Sequence, residues 1–515
     1  MKSGRVLSAR RAEQRHGWRH RCSSGSSVGA IHVVGAAGIR FRPWTAAAWA
    51  SFAVAAGVSV HFAGAYQDDF RVYLMGAHDF FSPWLYARSA GGDFFTYPPF
   101  AALAFVPLEL LGRPAAQAVF AAVNLAALVA LIDVSIKAIR PDLAAPARRC
   151  WALGLTGPML FLNPVILTMR HGQVNLILAA AVVWDLTASR PDRARGLPPG
   201  VATGLAAAVK LTPLIFIPYL MLTGRRRAAS VCLATFACCE AAAFALSPVS
   251  SWRYWTGSVF DVTRVGGDLG SDRLLAPSDQ SLTGVLARFA HAPVAPAVLW
   301  AAGALIGAAG LTIAVLTCRR WSPTLGVLLC AVTGLLVSPV TWAHHMVWVV
   351  PVIIWLAAAP ERPRLGRPAA ALTAVLFWCA PIWWVPGGVA ALRQHLELHE
   401  NLGQLLAGSS FFAWMVVILA AAGLLAFAAR PAGAVHDRGG SVATIAPNQP
   451  RSWKHRLRLR PETQLGRAGN RSTGPARWHG GQGGWRNRTS GQNSRERRSR
   501  GPSSASGGGL SESWP

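Results

Sequence analysis

Two adjacent carboxylates, Asp68 and Asp69, directly follow the first membrane-length apolar run of the chain, in the stretch Gln67-Asp68-Asp69-Phe70-Arg71-Val72-Tyr73. Acids beside a bilayer are costly to hold unless they do chemistry or bind something. A carboxylate at a membrane surface can act as general base toward a sugar hydroxyl if it reaches hydrogen-bond distance of that proton. The competing reading is a solvated loop acid, or an ion pair with Arg71. Further along, Arg170, His171, Gln173 and Asn175 interrupt an otherwise continuous apolar hairpin. Amides and a cation at such a break suit sugar hydroxyls and phosphate; the plainer alternative is an interhelical turn with the cation snorkelling to the headgroups.

Lys210 lies inside another apolar segment. An unpaired lysine at membrane depth costs roughly 2.5 to 3.5 kcal/mol on insertion scales. A phosphate counter-charge accounts for it, and so does a helix break near Pro213 that lets the ammonium reach water. His344 and His345 end a further apolar run between Trp342 and Trp348. Neighbours on a helix point about 100° apart, so one of the two suffices to face a cavity. The long loop 248–293 carries Trp252, Tyr254, Trp255, Arg264, Arg273, Asp279 and Gln280. Its aromatic residues fit sugar faces and lipid interfaces equally well.

The elements that must position these groups are membrane helices. A chain of 515 residues, 52% hydrophobic and 14% charged, has too little polar surface to cover a soluble globule. Apolar runs of bilayer length occur near 45–66, 115–139, 150–168, 173–189, 200–222, 228–247, 294–317, 322–339, 345–359, 369–386 and 409–429, with a shorter run at 99–112 that starts on Pro98-Pro99. The expected fold is an all-α polytopic bundle over 43–430, with about 10 to 12 transmembrane segments. It is flanked by a basic cytoplasmic segment 1–42, which has no apolar core of signal-peptide length, and by a Gly, Ser and Arg-rich tail 431–515, both expected to be disordered. The eight cysteines make no disulfide or metal spacing.

The net charge of +28 gathers in the tails and in short loops, which is a topology signal rather than a nucleic-acid footprint. With 1–42 inside, Asp68 and Asp69 fall outside. Arg225-Arg226-Arg227, Arg319-Arg320 and Arg362, Arg364 and Arg367 mark inner loops, so 248–293 and His344-His345 are outside as well. Between 99 and 222 two paths remain open. Either 99–112 spans, or it does not and 200–222 is a broken or re-entrant helix.

The succession Asp69-x-x-Val72-Tyr73, Thr96-Tyr97-Pro98-Pro99, Asn163-Pro164, Gly172-Gln173-x-Asn175, Lys210-Leu211-Thr212-Pro213, Asp279-Gln280-Ser281-Leu282 and Ser338-Pro339-Val340-Thr341-Trp342-Ala343-His344-His345 resembles glycosyltransferase family 87, the polyprenyl-phosphate-mannose-dependent mannosyltransferases of the GT-C type. The likeness runs in order from about residue 45 to 430. It implies a GT-C-like helical bundle in the plasma membrane that takes mannose from a polyprenyl-phosphate donor at the outer face. It also implies an α-(1→2) linkage to a glycolipid or envelope glycan, formed with inversion. The matching base is Asp69, with Asp68 its neighbour. His344 or His345, Lys210, Arg170, His171, Gln173, Asn175, Tyr97, Arg264 and Gln280 become the expected donor or acceptor contacts. Asp279 stands where the family usually has Asn.

The chemistry of the residues agrees. A phosphate leaving group departs as an anion and needs cations or hydrogen-bond donors more than a protonating acid. One carboxylate with basic partners is then sufficient, unlike the paired carboxylates of glycoside hydrolysis. A sugar-nucleotide donor would commonly call for an Asp-x-Asp metal site, and no such spacing is visible, so no metal, cofactor or nucleic-acid partner is expected. The alternatives are transfer of another polyprenyl-phosphate sugar, or transport of a lipid or polysaccharide.

Overall fold

The protein is described by a computed structural model covering residues 43–65, 67–188, 196–387 and 389–428. The basic segments expected to be disordered and the arginine cluster at 190–195 lie outside these residues. In chain order the helices are α1 (Pro43–Ala65), α2 (Asp68–His78), α3 (Pro99–Glu109), α4 (Arg113–Ile139), α5 (Ala145–Leu160), α6 (Asn163–His171), α7 (Asn175–Thr187), α8 (Val201–Val209), α9 (Phe216–Leu222) and α10 (Arg226–Leu246). They continue as α11 (Pro248–Thr256), α12 (Leu282–Ala290), α13 (Pro296–Arg320), α14 (Pro323–Val337), α15 (Val349–Ala358), α16 (Gly366–Cys379), α17 (Val389–Arg393), α18 (Leu402–Gly408) and α19 (Ser410–Ala428). Strands are confined, among the described residues, to the hairpin β1 (Ser89–Ala90) and β2 (Asp93–Phe94).

Many starts are written locally. Proline occupies the first turn of α4, α5, α11, α13 and α14, where its missing N–H would have had no helical partner anyway. Ser322 caps α14 by accepting from the Leu325 amide, and Asn401 with Gln404 forms a capping box on α18.

Contacts sort the helix ends into two groups. At one end Arg148, near the start of α5, pairs with Asp133, near the end of α4, at 2.8 Å. There too Arg225 donates to the Leu186 carbonyl, Arg319 to that of Leu222, and Trp321 Nε1 to that of Glu361. At the other end the Gln67 amide donates to the Arg170 carbonyl at 2.8 Å, and the Gln280 amide to that of Thr341 at 2.7 Å.

This arrangement resolves the path between 99 and 222. α3 packs along α2, and Pro114 and Gln117 at the start of α4 share a groove with Ala63 and Gly64 at the end of α1. The 99–112 run therefore returns to the end it left, and Arg148 sits at the opposite, basic end. α8 rises from that basic end, breaks at Lys210, and 212–222 runs back to it at Arg225.

Among the described residues five helices are long and apolar enough to cross a membrane alone: Trp44–Gly64, Arg113–Ile139, Arg226–Leu246, Pro296–Arg320 and Ser410–Ala428. Ala145–Leu160 and Asn163–His171, bent by 83° at their junction, count as a sixth if taken as one span. The other expected segments fall on shorter apolar helices such as Asn175–Thr187 and Pro323–Val337. Polar turns and 3₁₀ pieces cut these apolar runs short at the end where the polar motifs gather.

Candidate active site

The start of α2 is fixed by two left-handed residues pressed together. Gln67 has φ 75° and ψ 50°, which is uncommon for a residue with a Cβ. Opposite it Gly172 has φ 66°, and a Cβ there would lie 2.7 Å from Phe70 Cβ, so the close approach of the 67–70 and 170–175 segments requires glycine. Phe70 and Tyr73, one turn apart on the buried face of α2, stack on Phe120 and Phe105. A second close approach, of Gly76 to the Phe95 ring, brings Tyr97 against Tyr73.

With these segments pinned, Gln173 Nε2 donates to Asp69 Oδ2 at 2.6 Å. The Gln173 carbonyl oxygen accepts from the Tyr73 hydroxyl at 2.7 Å and the Tyr97 hydroxyl at 3.2 Å. Burial, first, raises the pKa of both phenols, so they stay protonated and able to donate. Asp68, half exposed, is paired instead with Arg71 one turn on. The two acids of the sequence motif thus part: one enters a buried network, the other lies on the helix surface.

A second cluster adjoins the first. Asn175, at the start of α7, donates through Nδ2 to the His344 carbonyl at 3.0 Å and accepts through Oδ1 from Lys210 Nζ at 3.0 Å. Thr168 Oγ1 reaches the same His344 carbonyl at 3.1 Å. Lys210 stands at the break after α8 with its ammonium 5.6 Å from the centre of the Tyr97 ring, which links the two clusters. The rings of His171 and His344 are 5.7 Å apart, those of His344 and His345 4.7 Å, and His344 Nε2 is buried with no hydrogen-bond partner among the described residues. Asn175, Lys210, His345 and Trp348 line a narrow cavity of about 40 Å³.

The loops above form a roof. Arg273 pairs with Asp93 at 2.5 Å and lies over the Trp342 ring, and the Asp268 amide donates to the Gly92 carbonyl. Burial raises the pKa of Asp93, and Arg273 pulls it back. Two expected contacts, Arg264 and Gln280, are engaged by the protein's own backbone. Arg264 donates to the Tyr86 carbonyl at 2.5 Å and covers the Phe94 ring, so it holds the roof together. Gln280, with no exposed surface, has its polar atoms engaged by the Pro277 and Gly408 carbonyls and the Phe412 amide; it fastens α12 to the segment joining α18 and α19. Asp279 Oδ1 accepts from the Ser281 and Thr341 amides and Oδ2 from the Ser281 hydroxyl. Arg170 lies at the end of α6, where its carbonyl receives the Gln67 amide.

Sequence reasoning quoted Tyr73 and Gly172 as motif positions without giving them a role, and passed over Asp93. Tyr73 lies four residues beyond Asp69 and so on the same face of α2, a spacing that could have flagged it. The other two act only through distant partners. Among the described residues no group of three or more His, Cys, Asp or Glu could hold a metal ion.

A polytopic apolar bundle with one hydrogen-bonded carboxylate and a lysine and histidine cluster at one end defines a membrane protein built for polar chemistry beside lipid. The chain belongs to glycosyltransferase family 87, whose sequence model matches residues 95–339, and it is a glycosyltransferase. It is 32% identical over 382 residues to the polyprenol-phosphate-mannose-dependent alpha-(1-2)-phosphatidylinositol mannoside mannosyltransferase of Mycobacterium tuberculosis, covering 70% of this chain and 85% of that one. The protein of the same name from Mycolicibacterium smegmatis is 30% identical over 411 residues, with 74% and 89% covered. A polyprenol-phosphate-mannose-dependent alpha-(1-2)-phosphatidylinositol pentamannoside mannosyltransferase of Mycobacterium tuberculosis is 31% identical over 317 residues, with 59% and 69% covered. No solved structure matches the chain significantly.

Proposed function

We propose that this enzyme transfers mannose from a polyprenyl-phosphate donor to a phosphatidylinositol mannoside or similar envelope glycolipid, with inversion and an α-(1→2) linkage, at the outer face of the plasma membrane. The observation that carries this reading is the placing of Asp69, held by Gln173, next to the Lys210, Asn175 and histidine cluster. Asp69 takes the proton of the acceptor hydroxyl as that oxygen attacks the anomeric carbon. The bond from that carbon to the phosphate oxygen breaks, and the polyprenyl phosphate leaves as an anion. Lys210 and His344 or His345 stand where that charge develops, with His171 and Arg170 beside them. The arginines of the opposite end, Arg225, Arg319 and Arg362 among them, support an outer site through the positive-inside rule.

Membranes containing the wild-type chain or Asp69→Asn, given labelled polyprenyl-phosphate-mannose and phosphatidylinositol mannosides, test the reading at matched protein levels. Transfer should fall by at least a hundredfold in the variant, the usual scale for losing a general base. Equal transfer by both proteins would remove Asp69 from the role.

A further inference from the structure

We infer that Gln173 is a positioning residue of the base and not a ligand of the sugar, and that Tyr73 and Tyr97 act through it by locking its amide. The inference rests on Asp69 being the base. An amide beside a carboxylate has two orientations, and the hydrogen-bonding capacity of its neighbours selects one. An ionised carboxylate only accepts, so the NH₂ end must face Asp69 and the carbonyl end must face the phenols, both of which can donate. The Tyr73 and Tyr97 hydroxyls are also 2.8 Å from one another, closing a triangle with Gln173 Oε1. Two hydroxyl protons share these contacts, and since the phenols cannot both donate to each other along one edge, at least one proton always falls on Oε1.

The lock has a consequence for the carboxylate. Asp69 Oδ2 is occupied by the amide, while Oδ1 receives no protein donor among the described residues. Oδ1 is therefore the oxygen that takes the acceptor's proton, and the Gln173 donor keeps the carboxylate aimed until it does. Gln173 is nearly fully buried, and Tyr73 more so, which suits a support behind the reacting group better than a contact with substrate.

The test is a double-mutant cycle in full-length protein, with polyprenyl-phosphate-mannose and phosphatidylinositol mannoside as probes and with initial rates measured from pH 5 to 9. Gln173→Met removes both hydrogen-bonding ends at similar volume. It should lower kcat about ten- to a hundredfold, leave both KM values within about twofold, and move the acid limb of the pH–rate profile upward by about one unit, because the carboxylate has lost its donor. Tyr73→Phe with Tyr97→Phe should approach the same kcat loss in the wild-type background and have almost no further effect in the Gln173→Met background.

A raised acceptor KM with kcat and acid limb unchanged, or tyrosine effects that persist undiminished in Gln173→Met, overturns the inference and makes Gln173 a substrate contact. Each variant's monodisperse elution and melting temperature are checked. If Gln173→Met does not fold, the pH profile of the tyrosine pair decides by the same criterion. Asp69→Asn, run alongside, separates the two levels: full activity in that variant refutes the base itself, whereas an inactive Asp69→Asn with an unshifted Gln173→Met profile refutes only the lock.

Discussion

At the scale of single residues, Asp279 shows how burial changes the meaning of a charge. It has no exposed surface, and burial, first, raises its pKa to about 6, with its backbone and Ser281 hydrogen bonds and Arg288 opposing. An acid whose folded pKa lies above its unfolded value binds its proton more readily when folded. It favours the native state fully below about pH 4, and that contribution is lost as pH rises through about 6. Two units correspond to about 3 kcal/mol. Asparagine can reproduce the geometry, since both amides converge on Oδ1 and only a hydroxyl meets Oδ2. Asp279→Asn should raise the melting temperature in detergent at pH 7.5, flatten its dependence between pH 4.5 and 7, and leave transfer intact. A variant that melts lower at pH 7.5 would show that Arg288, held by the carbonyls around Asp279, needs the ionised acid.

At the scale of elements, the re-entrant pair depends on a cap far from the chemistry. Asp185, near the end of α7, accepts from the Gly200 and Thr203 amides and the Thr203 hydroxyl, which ties the start of α8 to the basic end. α8 then delivers Lys210 to Asn175 at its other end. Loss of a helix cap usually costs about 0.5 to 2 kcal/mol. Asp185→Ala should lower the melting temperature and, because α8 carries the ammonium, raise the KM for the donor more than that for the acceptor. A fall in stability with unchanged kinetics would mean that α8 holds its place through packing alone.

At the scale of the whole molecule, the separation of polar ends is the property to test. Thr256 on α11 belongs to the loops over the site, and Arg320 closes α13 at the basic end; both are exposed. In intact cells, a membrane-impermeant maleimide should label Thr256→Cys and spare Arg320→Cys until the membrane is permeabilised, against the wild-type background of native cysteines. The reverse pattern would turn the active site inward and remove the outer-face reading.

Composition, the spacing of apolar runs and the motifs in order identified the helical membrane class and the family, because these depend on totals and on local pattern. Of the site, Asp69, Gln173, Asn175, Lys210 and the two histidines were legible as polar residues in apolar surroundings, where burial is costly enough to be informative. Which acid enters the network was legible only through the family resemblance and not from local pattern: Asp68 and Asp69 differ by about 100° around a helix whose rotation is set by Phe70 and Tyr73 packing on Phe120 and Phe105. Nor could the sequence show Gln280 and Arg264 to be fasteners, since the carbonyls and amides that engage them come from backbone distant along the chain. A residue's type states which hydrogen bonds it is able to make, whereas the tertiary structure decides which of them are left for a substrate.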